Sequence, residues 1–321
     1  MHEILKLSVI IPTFNAGGYL IKAVNSIFET KYPNLEVLII EDNSIDNTLA
    51  IAKRLANEKP DNIRLLQSPG KRNKGAGAAR NVGIKNATGE LIAFLDADDF
   101  YLPHRFDKDM NILKNDNTID GVYGAWDLLY HNTNDRIEWE SLIGKPIFTD
   151  IQDSDKVLKK VLQHKGGLWH TNVITLRKTI FQRSGMFEES LKLHQDIELW
   201  TRIALVGNIV SGETKKPTSL YRRYDSNRFD PKDKMNPYRN TTIDIELLRW
   251  AIRKKELIKK NRLAYLQNAV EHSVIDCLVK MRERKMIWQG LKVAFKALMH
   301  VKSISGKRLY WGNLAYLLIG K

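Results

Sequence analysis

The stretch LIAFLDADDFYLP, Leu91 to Pro103, carries an apolar run into three carboxylates, Asp96, Asp98 and Asp99. Packed together, like charges repel and raise one another's pKa. A divalent cation relieves that repulsion. Hard oxygen ligands in a small cluster suit Mg²⁺ or Mn²⁺, which share their remaining positions with phosphate oxygens. For this stretch alone, an acidic turn closing a strand is the plain alternative. Other polar groups follow apolar runs in the same way. Asp42 comes directly after VLIIE and offers an acceptor for a ribose hydroxyl or a base N–H, or a cap for the next helix. Thr13 and Asn15 lie in PTFN. NKGAGAARNVG, Asn73 to Gly83, opens a helix with glycines and brings Arg80. An exposed helix N-terminus beside a fixed cation attracts anions.

These groups need a scaffold that delivers each of them to one rim. Lys6–Pro12, Leu35–Asp42, Asn62–Ser68 and Leu91–Asp96 read as strands. Tyr19–Thr30 has apolar positions 20, 23, 24 and 27 at helical spacing. Asp46–Glu58 reads as a helix with Asp46 as its N-cap, and Gly75–Ala87 as a small-residue helix. Strands apolar on both faces, alternating with helices, predict a mostly parallel sheet covered by helices. Such sheets bind ligands beyond the carboxyl ends of their strands. PTFN, EDNS and DADD all fall there. After Asp99 the regularity loosens. Gly121–Tyr130 and Thr171–Lys178 read as strands, Gln195–Gly207 as a helix, and Tyr221–Pro231 as a polar loop.

GAGAAR lacks the third glycine of a dinucleotide fingerprint and follows the third strand, and no Walker A lysine is present. What the ordered set VIIPTFN, IIEDNS, NKGAGAARNVG and FLDADD resembles is family 2 glycosyltransferases of the GT-A fold. SGMFEESLKLHQDIELWTRI, Ser184 to Ile203, extends the resemblance, which covers roughly residues 6–228. It implies an α/β fold with a Rossmann-like, mostly parallel sheet. A catalytic domain would span 1–230, with a nucleotide-binding half (1–100) and an acceptor half (101–230), followed by a helical extension (231–321).

The resemblance also implies roles. Pro12, Thr13 and Asn15 border the nucleotide, Asp42 reads uracil, and Arg80 approaches the diphosphate. Asp96 and Asp98 hold Mn²⁺ or Mg²⁺, with Asp98 the direct ligand, and Asp196 is the catalytic base. By itself, Asp196 is a first-turn carboxylate favoured by the helix dipole. The family usually has Glu before that aspartate. Here it is Gln195, a candidate to hydrogen-bond the acceptor. GGLWHTN, Gly166 to Asn172, falls where the family builds its acceptor side. Trp169 is a candidate for stacking on a sugar and His170 for hydrogen-bonding it, an ordinary packed pair being the alternative. YRRYDSN resembles a loop near the diphosphate and nominates Arg222, and Trp200 is expected to pack under the site. The implied reaction moves one sugar from a UDP-sugar to a hydroxyl of a glycan acceptor, with inversion. A lipid-linked oligosaccharide of surface polysaccharide, lipopolysaccharide or glycoprotein glycan synthesis is the expected acceptor class. No Q-x-x-R-W motif follows Asp196, which predicts one sugar per encounter.

The 321 residues are 43% hydrophobic and 27% charged, a globular composition. One cysteine, Cys277, excludes an intrachain disulfide and reads as a core residue. The net charge of +14 is concentrated: residues 249–308 hold 16 Lys and Arg against 4 Asp and Glu. Within this segment Met286–Met299 is amphipathic, with Ile287, Leu291, Ala294, Phe295 and Leu298 on one stripe. Leu309–Gly320 is apolar and aromatic but too short to span a bilayer. MHEILKLSVIIP does not read as a signal peptide. A cytoplasmic protein, peripheral on the inner face of the membrane through an anionic lipid surface, is expected; a helical bundle with a solvated basic face is the alternative. Two rivals follow from other classes. A nucleic-acid-binding protein rests on charge alone, with no recognisable module. A sugar nucleotidyltransferase lacks its glycine-rich basic first loop.

Overall fold

The computed structural model describes residues 4–70, 72–130, 150–164, 169–191, 193–222, 237–284, 286–300, 310–311 and 313–315. The chain divides into two units, 1–225 and 226–321.

In the first unit, strand and helix alternate as β1 (Leu7–Thr13), α1 (Leu20–Glu29), β2 (Leu35–Glu41), α2 (Thr48–Glu58), β3 (Ile63–Gln67), α3 (Ala76–Asn86) and β4 (Leu91–Phe94). Every residue of β1, β2 and β4 is buried, as central parallel strands with both faces covered require. β1 runs parallel to β2 from Leu7 opposite Leu35 to Thr13 opposite Glu41, and parallel to β4 on its other edge. α1 buries Leu20, Ala23, Val24 and Ile27, the stripe expected from their spacing. α3 is built from small residues because it lies tight on β1. A methyl at Gly83 would come within 2.4 Å of Ile10 Cγ2.

Then follow β5 (Phe100–Tyr101), α4 (Asp107–Asn115), β6 (Gly121–Tyr123), β7 (Ala125–Leu129), α5 (Ser154–His164), β8 (Ile174–Arg177), α6 (Ile180–Ser184), α7 (Gln195–Val206), β9 (Ile209–Ser211) and β10 (Pro217–Arg222). The main sheet has the order β3-β2-β1-β4-β8-β6-β9, with β8 antiparallel to both β4 and β6. A second sheet, β5-β10-β7, forms from short strands.

Three expectations change in detail. Gly121–Tyr130 is two strands in two different sheets, divided at Gly124, where a side chain would meet Thr218 Oγ1 at 3.0 Å. Thr171–Val173 is a single 3₁₀ turn before β8. α2 starts at Thr48, with Asn47 at the N-cap position; Asp46, one residue earlier, accepts from Thr48 N and Gly17 N, tying the loops after β1 and β2 together.

In the second unit the described helices are α8 (Pro237–Arg253), α9 (Lys260–Glu283) and α10 (Ile287–His300). Cys277 is buried in α9, as expected. α10 buries Gly290, Val293, Ala294 and Ala297. The expected stripe is therefore rotated: of its five residues only Ala294 is buried. Small residues allow helices to approach closely, and the large apolar side chains stay outside, with Trp288 77%, Phe295 70% and Met299 65% exposed. Among the described residues no helix is long and apolar enough to cross a membrane. Most of Leu309–Gly320 lies outside the described residues.

Candidate active site

The loops after β1, β2 and β4 meet at the carboxyl end of the sheet. Thr13 is buried, its hydroxyl donating to Ile11 O. Pro12 is buried opposite Ile40. Asn15 takes a left-handed conformation, φ +50°, and accepts from Ile45 N at 3.0 Å, while its own N–H donates to Ser44 Oγ. The loop of β1 is thus held to the loop of β2.

Asp42 is buried at the end of β2 and does not cap the following helix. Its Oδ2 accepts from the N–H groups of both Lys74 and Gly75, each at 2.9 Å. Gly75 takes φ +91°, a conformation that glycine adopts without strain. The other oxygen, Oδ1, is buried with no hydrogen-bond partner among the described residues. An unpaired buried acceptor is expensive, so this oxygen can take a further donor.

Arg80, on α3, is buried and ion-paired to Asp96 Oδ1, with its guanidinium over the Phe187 ring, 5.4 Å from the centroid. Phe187 packs edge-on against Phe94 and Trp200 at 5.7 Å. Trp200 therefore does lie beneath the site, as expected.

Beyond Arg80 the acidic cluster takes a shape that spacing alone does not give. One ligand atom from each of Asp96, Asp99 and His170 lies within 4.8 Å of the others. Asp98 is not one of the three; its backbone carbonyl accepts from Arg222 Nε at 3.0 Å. Asp99 is fully buried and accepts from Asn172 Nδ2 at 2.7 Å and Arg222 N at 2.8 Å. Burial, with the charges of Asp98 and Asp96, pushes its carboxyl well above the usual carboxylate range. The His170 ring lies against Tyr221 of β10 and Trp126 of β7, with centroids at 4.7 and 5.3 Å. The second sheet thus builds the wall that turns His170 toward the aspartates. Two carboxylates and an imidazole form a donor set that fits a divalent cation.

The glycosyl transferase family 2 model matches residues 8–183, more than half of the chain. The chain belongs to glycosyl transferase family 2. An uncharacterized glycosyltransferase of Rickettsia conorii is 33% identical over 206 residues, 63% of this chain and 32% of that relative. The match therefore spans about a third of that relative's length. Among solved structures, Staphylococcus aureus TarS 1-349 in complex with UDP-GlcNAc superposes with a TM-score of 0.62 at 15% identity, covering 99% of this chain and 93% of that one. The mannosyltransferase PcManGT of Pyrobaculum calidifontis, in complex with GDP-Man and Mn²⁺, gives 0.53 at 19% identity, covering 99% and 88%. The fold is the GT-A arrangement expected from the motifs.

The remaining family positions lie around α7. His194, at φ +62°, turns the chain into this helix, and Asp196 stands half-buried in its first turn. Asp196 Oδ1 accepts from Ile197 N at 2.9 Å, and no other hydrogen bond reaches this carboxylate among the described residues. Arg202 anchors the helix from below. It pairs with Glu198 and donates to the carbonyls of Ser184 and Met186.

Two acceptor candidates end up elsewhere. Gln195 crosses the first turn of α3, where a methyl at Gly77 would meet its Oε1 at 2.4 Å. It therefore sits against the helix that carries Arg80. Trp169 is buried, 4% exposed, against Tyr123, so its ring packs in the interior and presents no platform for a sugar. Arg222 stands over the Tyr19 ring at 4.9 Å, beside the acidic cluster. The rest of its loop, from 223, lies outside the described residues.

Sequence reasoning did not select Asp99 and His170 among the residues that could hold a cation. Asp99 was visible as the third carboxylate of the motif. His170 is 71 positions further on, and no spacing rule links the two.

Proposed function

We propose that the chain transfers one sugar from a UDP-sugar to a hydroxyl of a glycan acceptor, with inversion and with a divalent cation. The observation that carries this reading is the buried, unpartnered Oδ1 of Asp42, whose missing donor a uracil N3–H would supply. Fold neighbours that hold UDP-GlcNAc, or GDP-Man with Mn²⁺, are consistent with it.

Asp96, Asp99 and His170 would hold the cation, with Asp98 beside them. The carboxylates suit Mg²⁺ or Mn²⁺, and the imidazole favours a transition ion, hence Mn²⁺. When bound, the cation neutralises charge growing on the departing diphosphate. Arg80, already fixed on Phe187 and Asp96, adds a second positive group on that side. Asp196 takes the proton of the acceptor hydroxyl as its oxygen bonds to the anomeric carbon. The bond from that carbon to the diphosphate oxygen breaks with its electrons leaving on the diphosphate. No covalent enzyme intermediate is needed.

A lipid-linked acceptor suits the second unit. Trp288, Phe295 and Met299 point outward from α10 in a strongly basic segment. Aromatic side chains set among Lys and Arg are the composition that lies in an anionic lipid surface on the cytoplasmic side.

The test is a panel of UDP-sugars offered with a lipid-linked oligosaccharide and read by mass spectrometry. Asp196→Asn should bind UDP as the unaltered chain does, while transfer falls by at least about 10²-fold, the scale of general-base catalysis. Near-normal transfer by that variant would remove the base assignment. Absence of transfer and of hydrolysis with every UDP-sugar would remove the reading as a whole.

A further inference from the structure

Asn172 touches all three members of the cation cluster. Its Oδ1 accepts from the backbone N–H of Asp96 at 3.0 Å. Its Nδ2 donates to Asp99 Oδ2 at 2.7 Å. Its own backbone N–H donates to His170 Nδ1 at 3.3 Å. The residue is fully buried, and its bond to Asp99 is buried with it.

The chemistry demands an amide here. Asp96 N–H needs an acceptor and the Asp99 carboxylate needs a donor, within reach of one short side chain. Asparagine supplies both. Aspartate would set a second carboxylate against Asp99, and leucine or alanine would leave both groups unpaired.

Asn172 is itself fixed. Its carbonyl accepts from Arg105 Nε at 2.9 Å. Arg105 is buried and pairs with Asp109 at 2.5 Å, and Thr175 hydroxyl donates to the same Asp109 oxygen at 2.6 Å. The guanidinium lies 4.8 Å from the Phe106 ring centroid. A rigid interior network therefore ends on one side chain, and that side chain ends on the cation cluster.

We propose that Asn172 is the positioning residue of the cation seat, holding Asp96, Asp99 and His170 in their converging arrangement. The proposal rests on the metal-dependent reading of the site. Groups that orient metal ligands from behind typically change metal affinity by roughly 10- to 100-fold when removed.

The test uses the full chain and MnCl₂ alone, with free Mn²⁺ read by its electron paramagnetic resonance signal and melting followed in parallel. Asn172→Ala should weaken Mn²⁺ binding by about tenfold or more. Ser8→Ala removes a buried hydroxyl at the amino end of β1, which donates to Glu36 and accepts from Gly89 N. It should lower the melting temperature while leaving Mn²⁺ affinity within about twofold. Where Asn172→Ala does not fold, Asn172→Ser removes the donor to Asp99 with a smaller void, and the same loss is expected. A purely structural Asn172 gives unchanged Mn²⁺ affinity in a folded variant, and that result overturns the inference alone. Equal losses in Ser8→Ala and Asn172→Ala overturn it as well. No Mn²⁺ binding by the unaltered chain overturns the metal reading and the inference together.

Discussion

The substitution Asp42→Asn changes one buried oxygen to an amide nitrogen and little else. Oδ2 of Asp42 accepts two backbone N–H groups at 2.9 Å, and the carbonyl of the introduced amide can keep both. The NH₂ group then occupies the place of Oδ1, the buried oxygen without a partner. If that oxygen receives uracil N3–H, the variant sets donor against donor. A hydrogen bond to a charged group contributes about 1.5–3 kcal/mol. At about 1.4 kcal/mol per tenfold, its loss predicts a roughly 10- to 150-fold weaker Kd for UDP. Cytosine carries an acceptor at N3, so CDP should lose less, or gain. Titration calorimetry with UDP and CDP reads both constants. The melting temperature should change little, because the two internal bonds survive. A UDP Kd within about threefold of the unaltered chain would refute the assignment, and so would parallel losses for UDP and CDP.

Two further outcomes are expected. Gly83→Val should destabilise the first unit by about 3 kcal/mol, the upper range for overpacking, because its Cβ would lie 2.4 Å from Ile10 Cγ2 in a fully buried strand. That corresponds to a melting-temperature loss of roughly 6–12 °C for a domain of this size, and an unchanged melting curve would refute the close approach of α3 to β1. Trp288→Ser combined with Phe295→Ser should release the chain from anionic vesicles. At about 1.5 kcal/mol or more for each large apolar side chain, partitioning should fall about 100-fold, and unchanged sedimentation with vesicles would refute the membrane face.

The first hundred residues were legible because each element there obeys one period. α1 shows its stripe at 20, 23, 24 and 27, and β1, β2 and β4 are mostly apolar and buried along their whole length because both faces are covered. Beyond Asp99 the strands shorten to two or three residues, as in β5 and β6, too few for any periodicity to register. The site divides along the same line. Asp42, Arg80 and Asp96 belong to the early elements, and the structure brings them to one rim. Asp99 meets Asn172 across 73 positions, and His170 is delivered by aromatic contacts with two strands of a second sheet. Such contacts depend on topology, which the local pattern does not encode. In α10 helical periodicity gives the separation between faces but not which face is covered: small residues that allow close packing are buried, and most of the large apolar ones stay exposed.

The glycines of NKGAGAARNVG show how one string can satisfy three unrelated demands. Gly75 supplies a positive φ at the turn whose N–H groups bind Asp42. Gly77 leaves the space that Gln195 fills, and Gly83 lets α3 settle on Ile10. The string follows the third strand, whereas a dinucleotide fingerprint sits at the first βα turn, although Gly83 serves the same close helix–strand packing. The position of Gln195 also accounts for the residue type found there. It lies across the first turn of α3, where the helix dipole and free N–H groups favour an anion. A glutamate at 195 would bring its own negative charge to that turn and compete with a diphosphate for it. Glutamine fills the same space uncharged, its amide turned to the carbonyl of Leu191. The departure from the usual family pattern therefore bears on the packing of α7 against the first turn of α3, and under the proposed reading Asp196 one residue on serves the acceptor.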